Sequence, residues 1–292
     1  MDPKKPISLG VIGGTGIYDL KGFQIEDELS IDTPFGKPTD AVIVGSLGET
    51  RLAFLSRHGR GHRHIPHEIN YRANLYALKS LGVVRVLSIS AVGSMKEEIH
   101  PGDMVVVDQF FDRTRARPST FFENGLVAHV AFGDPVCPQL SRLVVQAAKA
   151  SGAQVHASGT YLCIDGPQFS TRAESQIYRS WGVDVIGMTN LPEAKLAREA
   201  ELCFSTLALV TDYDCWHEDE EDVTVDSVLQ TINKNTQRAK DTISELVQRL
   251  SKGTKRECGC STSLQGAIMT SEERVDPDTR KKLDLLVHKY LK

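Results

Sequence analysis

Short apolar runs rich in β-branched residues recur along this chain, at residues 7–12, 83–89, 159–164, 183–190 and 202–210. Runs apolar throughout, rather than alternating, are the pattern of strands covered on both faces. Helical periodicity fills the intervals. Ile69, Ala73, Tyr76 and Ala77 fit a helix over 68–81 that stops at Gly82. Leu140, Leu143, Val144 and Ala147 fit another that ends at Gly152. Residues 192–200 have high helix propensity, and Val225, Val228, Leu229, Ile232, Ala239, Ile243, Leu246 and Leu250 give a long amphipathic helix. Strand–helix alternation of this kind predicts one α/β domain. Residues 40–44 and 52–55, around a Gly-rich turn, add a hairpin.

In open α/β sheets, ligands bind beyond the carboxyl ends of the strands, so the residues that leave each run matter most. The first run empties into Gly13-Gly14-Thr15-Gly16, whose backbone N–H groups and hydroxyl suit an anion. It is neither a dinucleotide fingerprint, since Asp19 stands where the third glycine belongs, nor a Walker A loop. Residues 52–55 lead to Arg57-His58, a guanidinium and an imidazole suited to phosphate. Residues 83–89 empty into Ser90-Ala91-Val92-Gly93-Ser94. After 159–164 come Gly166-Pro167-Gln168-Phe169-Ser170 and a capping box, Thr171 with Glu174, that starts a helix. Phe169 suits either a hydrophobic staple or a flat face for a ring ligand. The last run ends in Thr211-Asp212-Tyr213-Asp214-Cys215-Trp216. In extended chain Asp212 and Asp214 face one side, and neighbouring carboxylates raise one another's pKa. The pair would serve a proton donor, or merely a turn. Together these ends form one composite site, an anion pocket beside a pocket for a polar ring.

Composition narrows the partners. The 292 residues carry a net charge of −4 and are 40% hydrophobic, which recommends neither nucleic acid nor an anionic membrane. No run is long enough to span a bilayer, and the start lacks a secretory signal, so a cytoplasmic protein is expected. His62-Arg63-His64-Ile65-Pro66-His67 lacks the further ligand a zinc site needs. Cys258-Gly259-Cys260, in a polar tail, suits a strained disulfide or a loop lock. A zinc site is disfavoured there because no second ligand pair stands at finger-like spacing, and no metal is expected.

The ordered set of motifs is more specific than any one of them. Gly13-Gly14-Thr15-Gly16, residues 32–38, Arg57-His58-Gly59-Arg60, residues 70–74, Pro101-Gly102-Asp103, residues 166–174, Met188-Thr189 and residues 211–216 together resemble the trimeric purine nucleoside phosphorylase family over roughly residues 7–250. The resemblance implies one domain with a central mixed β-sheet flanked by helices. Residues 1–250 form the catalytic part, and 251–292 a tail with the CxC pair and a final helix packed on the same domain. It implies phosphorolysis of 5′-methylthioadenosine to adenine and 5-methylthioribose 1-phosphate in purine and methionine salvage, with inorganic phosphate as co-substrate and no cofactor. Carried over, Thr15, Arg57, His58, Ser90, Ala91 and Thr189 bind phosphate, and Asp212, Asp214 and Ser170 serve catalysis at the base. Phe169, Ile186, Met188, Val225, Val228 and Leu229 hold the nucleoside. His129 comes from a neighbouring subunit, which implies a homotrimer or a dimer of trimers.

Gln168, Ser90, Val92, Gly187 and Asn190 depart from the family's usual residues. The changes at Gly187 and Gln168 leave open a broader purine nucleoside phosphorylase acting on adenosine, inosine or guanosine. A non-catalytic nucleoside-binding protein is the alternative of another class.

Overall fold

The computed structural model describes residues 6–14, 16–217, 225–251 and 253–291, with main chain only for 225–230 and 232–234. The elements in chain order are β1 (Ile7–Gly13), β2 (Phe23–Leu29), β3 (Val42–Leu47), β4 (Thr50–Ser56), α1 (Tyr71–Ser80), β5 (Arg85–Ser94), β6 (Met104–Val107), β7 (Gln109–Asp112), α2 (Pro138–Ala150), β8 (Val155–His156), β9 (Thr160–Cys163), α3 (Arg172–Ser180), β10 (Val185–Gly187), α4 (Asn190–Glu199), β11 (Cys203–Asp212), α5 (Val225–Ser251) and α6 (Pro277–Val287). The strands form one mixed sheet that branches at β5. One path runs β2-β3-β4-β1-β5-β10-β9-β7, while β11 pairs with β5 and with β6, which pairs with β8. β1 is parallel to β4 and β5, and β5 to β11, whereas β10 meets β5 antiparallel at Gly93 and Ser94.

The uniformly apolar runs are explained by helices on both faces. Along β11, Leu207 and Leu209 join the core on one side of the sheet, Ala208 and Val210 the core on the other. Leu140, Val144 and Ala147 of α2 and Ile243, Leu246 and Leu250 of α5 cover the first face. Leu75 and Leu78 of α1, Leu191 and Ala194 of α4, and Leu283 and Leu286 of α6 cover the second. The tail therefore contributes to a main core, with Leu283 and Val287 almost fully buried.

Two boundaries differ from the sequence reading. β5 continues through Ser90–Ser94, read as an exit loop, because β11 and β10 supply its ladder partners there. β2 had no apolar run to announce it: it pairs with β3 alone and turns acidic side chains outward, the usual dress of an edge strand. α1 starts later than residue 68 because Asn70 caps it, its side chain accepting from the Ala73 N–H. The Thr171–Glu174 capping box is present at α3.

The long irregular stretch before α2 is tied to α4 by Glu199, whose carboxylate accepts from Phe121 N and Thr120 Oγ1, each at 2.7 Å. Burial pushes this carboxyl up to about 7 against those two bonds. A carboxyl held above its unfolded value binds an extra proton in the folded state, so its contribution to stability falls as pH rises between 4.5 and about 7. Glu199→Gln keeps the shape and, with Thr120 turned to accept, removes the titration. Urea denaturation should show the variant gaining on the wild type by roughly 3 kcal/mol between pH 4.5 and 7.5. Parallel pH profiles would show that Glu199 ionises freely.

Candidate active site

The site is built where β1, β4, β5, β10 and β11 end. At its base is the exit of β11. A register shift between Val210 and Asp212 sets Asp212 opposite Gly93 of β5. An added Cβ at Gly93 would lie 2.8 Å from Asp212 Oδ1, so only glycine admits this carboxylate. Asp212 Oδ1 accepts from Asp214 N at 2.8 Å. Oδ2 lies 2.6 Å from Thr211 Oγ1, itself 3.1 Å from the Val92 carbonyl oxygen. That hydroxyl has one hydrogen for two oxygens. Burial raises the Asp212 pKa, against the bonds from Thr211 and Asp214.

The chain is not extended through Asp214. Asp214 has φ +53 and turns away after the strand, so its Oδ2 accepts from Ser175 Oγ of α3 at 2.5 Å. Burial raises its pKa too, with the Asp212 charge adding to the rise. Ser170 is held beside this turn, its carbonyl accepting from Cys215 Sγ at 3.3 Å, and its own buried hydroxyl lowers the pKa of Asp214. Phe169 is 46% exposed, so it is not a staple for α3 and offers an open ring face.

On the anion side, Ser90 Oγ lies 3.3 Å from Thr189 Oγ1 and 3.1 Å from Tyr161 Oη. Thr189 sits at the start of α4 without using its hydroxyl as a cap. Ala91 is the exposed position in an otherwise largely buried β5, at the opening of the strand toward the site. Arg57 is 2% exposed and faces inward. Its Nε donates to Glu193 Oε1 at 2.5 Å, Nη2 to Glu193 Oε2 at 3.0 Å and to Ser88 Oγ at 2.6 Å, and Nη1 to the Ile89 carbonyl at 2.7 Å. Most of the guanidinium is thus committed to a buried carboxylate, leaving Nη1 with one hydrogen beyond these contacts. His58 stacks on His62 and donates from Nδ1 to the His64 carbonyl at 2.8 Å. Burial lowers it to about 4, against that bond and with the Arg57 charge. The neutral ring therefore keeps Nε2 as an acceptor.

Ile186 approaches Gly93 and packs with Tyr178, Tyr213 and Trp216. Met188 lies against Gly166, where an added Cβ would strike its sulfur. Its carbonyl accepts from Arg117 Nη1 at 2.7 Å. His129 is exposed and held through its N–H by the Ala267 carbonyl of the tail, apart from the rest of the set. Thr15 lies outside the described residues, as do the side chains of Val225, Val228 and Leu229 in the first turns of α5.

Several site residues were missed in the sequence. Glu193 was read only as part of a helical segment, and Ser175 was not singled out. Arg117 donates to the Met188, Leu191 and Asp165 carbonyls and so pins the loops after β9 and β10 together. Tyr161 answers the departure at Gly187: a Cβ there would lie 2.1 Å from the Tyr161 hydroxyl. The Tyr161 hydroxyl therefore occupies the space that a side chain at 187 would need.

A model of the phosphorylase superfamily matches residues 8–250. The chain belongs to the phosphorylase superfamily. Among relatives in this superfamily, S-methyl-5′-thioadenosine phosphorylase of Geobacter sulfurreducens is 53% identical, with 97% of this chain and 99% of that one covered. The enzyme of the same name from Koribacter versatilis is 52% identical over 97% and 96%. Among solved superfamily structures, a methylthioadenosine phosphorylase from an antarctic soil metagenomic library superposes with a TM-score of 0.92 at 45% identity, covering 97% of this chain and 99% of that one.

Breaking the Arg57–Glu193 pair would leave a buried cation alone. Glu193→Gln is expected to cost about 3–5 kcal/mol in denaturant-measured stability. An unchanged midpoint would show that water or anions neutralise Arg57 instead.

Proposed function

We propose that this protein is a phosphorolytic enzyme that cleaves 5′-methylthioadenosine to adenine and 5-methylthioribose 1-phosphate, working in purine and methionine salvage. The reading is supported by Asp212 at the end of β11, a half-buried carboxyl whose pKa is raised by burial, together with the Ser90–Thr189 hydroxyl pair. Two superfamily relatives above 50% identity that bear the methylthioadenosine phosphorylase name support it.

In this reaction a phosphate oxygen bonds to C1′ as the C1′–N9 bond breaks, and the electron pair leaves with the purine. The ribosyl centre passes through an oxocarbenium-like state, stabilised by the phosphate charge. The leaving purine needs a proton at N7, and Asp212 donates it. Asp214, fixed by Ser175, accepts from the 6-amino group, and with Ser170 it reads the base. A 6-oxo group there would face a carboxylate and be repelled. Phe169 covers the ring, Met188 and Ile186 support the ribose, and Val225, Val228 and Leu229 wall the methylthio group. Ser90, Thr189, the Ala91 backbone and Thr15 hold phosphate, with Nη1 of Arg57. Neutral His58 accepts a hydrogen bond from the phosphate at Nε2. The step needs no metal or organic cofactor.

The proposal includes assembly as a homotrimer, with His129 reaching a neighbouring site. Exposed Val127 and Met269 flank the strip that carries His129 and suit a covered surface. Action in the cytoplasm agrees with six free cysteines, and among the described residues no helix is long and apolar enough to cross a membrane.

Asp212→Asn tests the proton donor. It should cut kcat/KM for methylthioadenosine by about 10²–10⁴-fold, with inosine favoured relative to adenosine. Wild-type turnover of methylthioadenosine in this variant would remove Asp212 from the mechanism.

A further inference from the structure

Four of the six cysteines, scattered in the sequence, converge in space. Cys137, Cys203, Cys258 and Cys260 place their sulfur atoms within 4.8 Å of one another. They come from the N-cap of α2, the first residue of β11 and the tail. Of the two readings of the pair, a disulfide or a loop lock, the Cys258–Cys260 disulfide is not formed: all six thiols are free, and Cys258 Sγ lies 3.3 Å from Cys203 Sγ. Each tail cysteine faces Cys137 and Cys203 as well as its neighbour, so the CxC pair is half of a larger set. Finger-like spacing could not reveal it, because Cys137 and Cys203 are single residues 66 positions apart.

We propose that these four thiolates bind one tetrahedral zinc ion, which staples the tail to the body of the fold. Zinc–thiolate bonds of about 2.3 Å put the sulfurs of such a site about 3.8 Å apart, whereas a disulfide needs about 2.05 Å. The sulfur spacing here is that of a coordination shell. An all-sulfur donor set favours zinc over the oxygen-seeking magnesium and calcium ions. The surroundings suit the net −2 charge of a tetrathiolate zinc centre. Arg256 Nε donates to Cys203 Sγ at 3.1 Å, and the Leu140 N–H at the start of α2 donates to Cys137 Sγ at 3.4 Å.

The ligands are also held in place without metal. The Cys137 N–H bonds to the Phe204 carbonyl at 2.8 Å, beside Cys203. Gln139 grips the tail at both ends of its side chain, donating to the Lys255 carbonyl at 2.8 Å and accepting from Glu257 N at 3.1 Å. Ser263 donates to the Arg198 carbonyl at 2.6 Å just past the pair. Binding would release the thiol protons as four zinc–sulfur bonds form, with no change of oxidation state. Asp212 lies nine residues along β11 from Cys203, about 30 Å at strand rise, so the ion acts on stability and not on the reaction.

The test uses the full chain, expressed with added zinc, purified under argon with reductant and desalted. One zinc per chain is expected by mass spectrometric metal analysis, with four of the six thiols protected from a thiol reagent. Cobalt in its place should give intense thiolate-to-cobalt charge transfer and tetrahedral d–d bands. A strong chelator should lower the Tm of the wild type. The double variant Cys258→Ser, Cys260→Ser, whose changes lie in the tail, should bind no zinc and show a Tm indifferent to chelator, with kcat unchanged. Cys203→Ser should likewise lose the cobalt spectrum. Absence of zinc and of the cobalt bands from the reduced wild type would overturn the proposal. So would full zinc retention in the double variant, or bridged cysteine pairs in the anaerobically purified protein.

Discussion

The buried pair of Arg57 and Glu193 fixes the geometry of this molecule. Arg57 follows the last residue of β4, its N–H bonded to the Gly13 carbonyl at the end of β1, and Glu193 comes from α4. Ser88 of β5 donates to Glu193 Oε2 at 2.7 Å, and Asn190 Nδ2 reaches Ser88 Oγ at 3.1 Å. One ionic contact, almost fully excluded from water, therefore joins two neighbouring strand ends, the central strand and the helix that carries Thr189. Neither charge can be left alone at that depth without a cost of several kcal/mol, so the strand ends hold one arrangement. An anion pocket built from hydroxyls on those same ends inherits that rigidity.

The carboxylates at the end of β11 follow a different logic. Desolvation, not a strong cation, governs Asp212 and Asp214, and both are pushed toward the protonated form. The two sets of groups thus differ in kind. A paired arginine and converging hydroxyls suit a charged nucleophile, whereas buried carboxyls suit a leaving base that must take a proton.

Much of this was legible in the sequence, because uniformly apolar strands flanked by helices leave few folds, and because strand ends in such folds are where polar residues gather. Asp212 stands at such an end, whereas Ser90 lies within β5 and Phe169 in the loop between β9 and α3. The backbone is not extended through Asp214 as expected, since a left-handed residue at 214 cannot be seen in an Asp-x-Asp pattern, yet the Asp212 charge does raise the Asp214 pKa. Glu193, Ser175, Arg117 and Tyr161 were missed for one physical reason: each acts through a partner distant in sequence. Tyr161 matters only because Gly187 leaves room for its hydroxyl. The cysteine cluster was hidden in the same way, as a contact among three segments that no local spacing encodes.

The most direct measurement is base release by the wild-type protein from methylthioadenosine, adenosine, inosine and guanosine, each with and without phosphate. The account predicts release that requires phosphate, yields adenine and the sugar 1-phosphate, and is fastest with methylthioadenosine. Release that ignores phosphate, or that runs faster with inosine or guanosine, would contradict it.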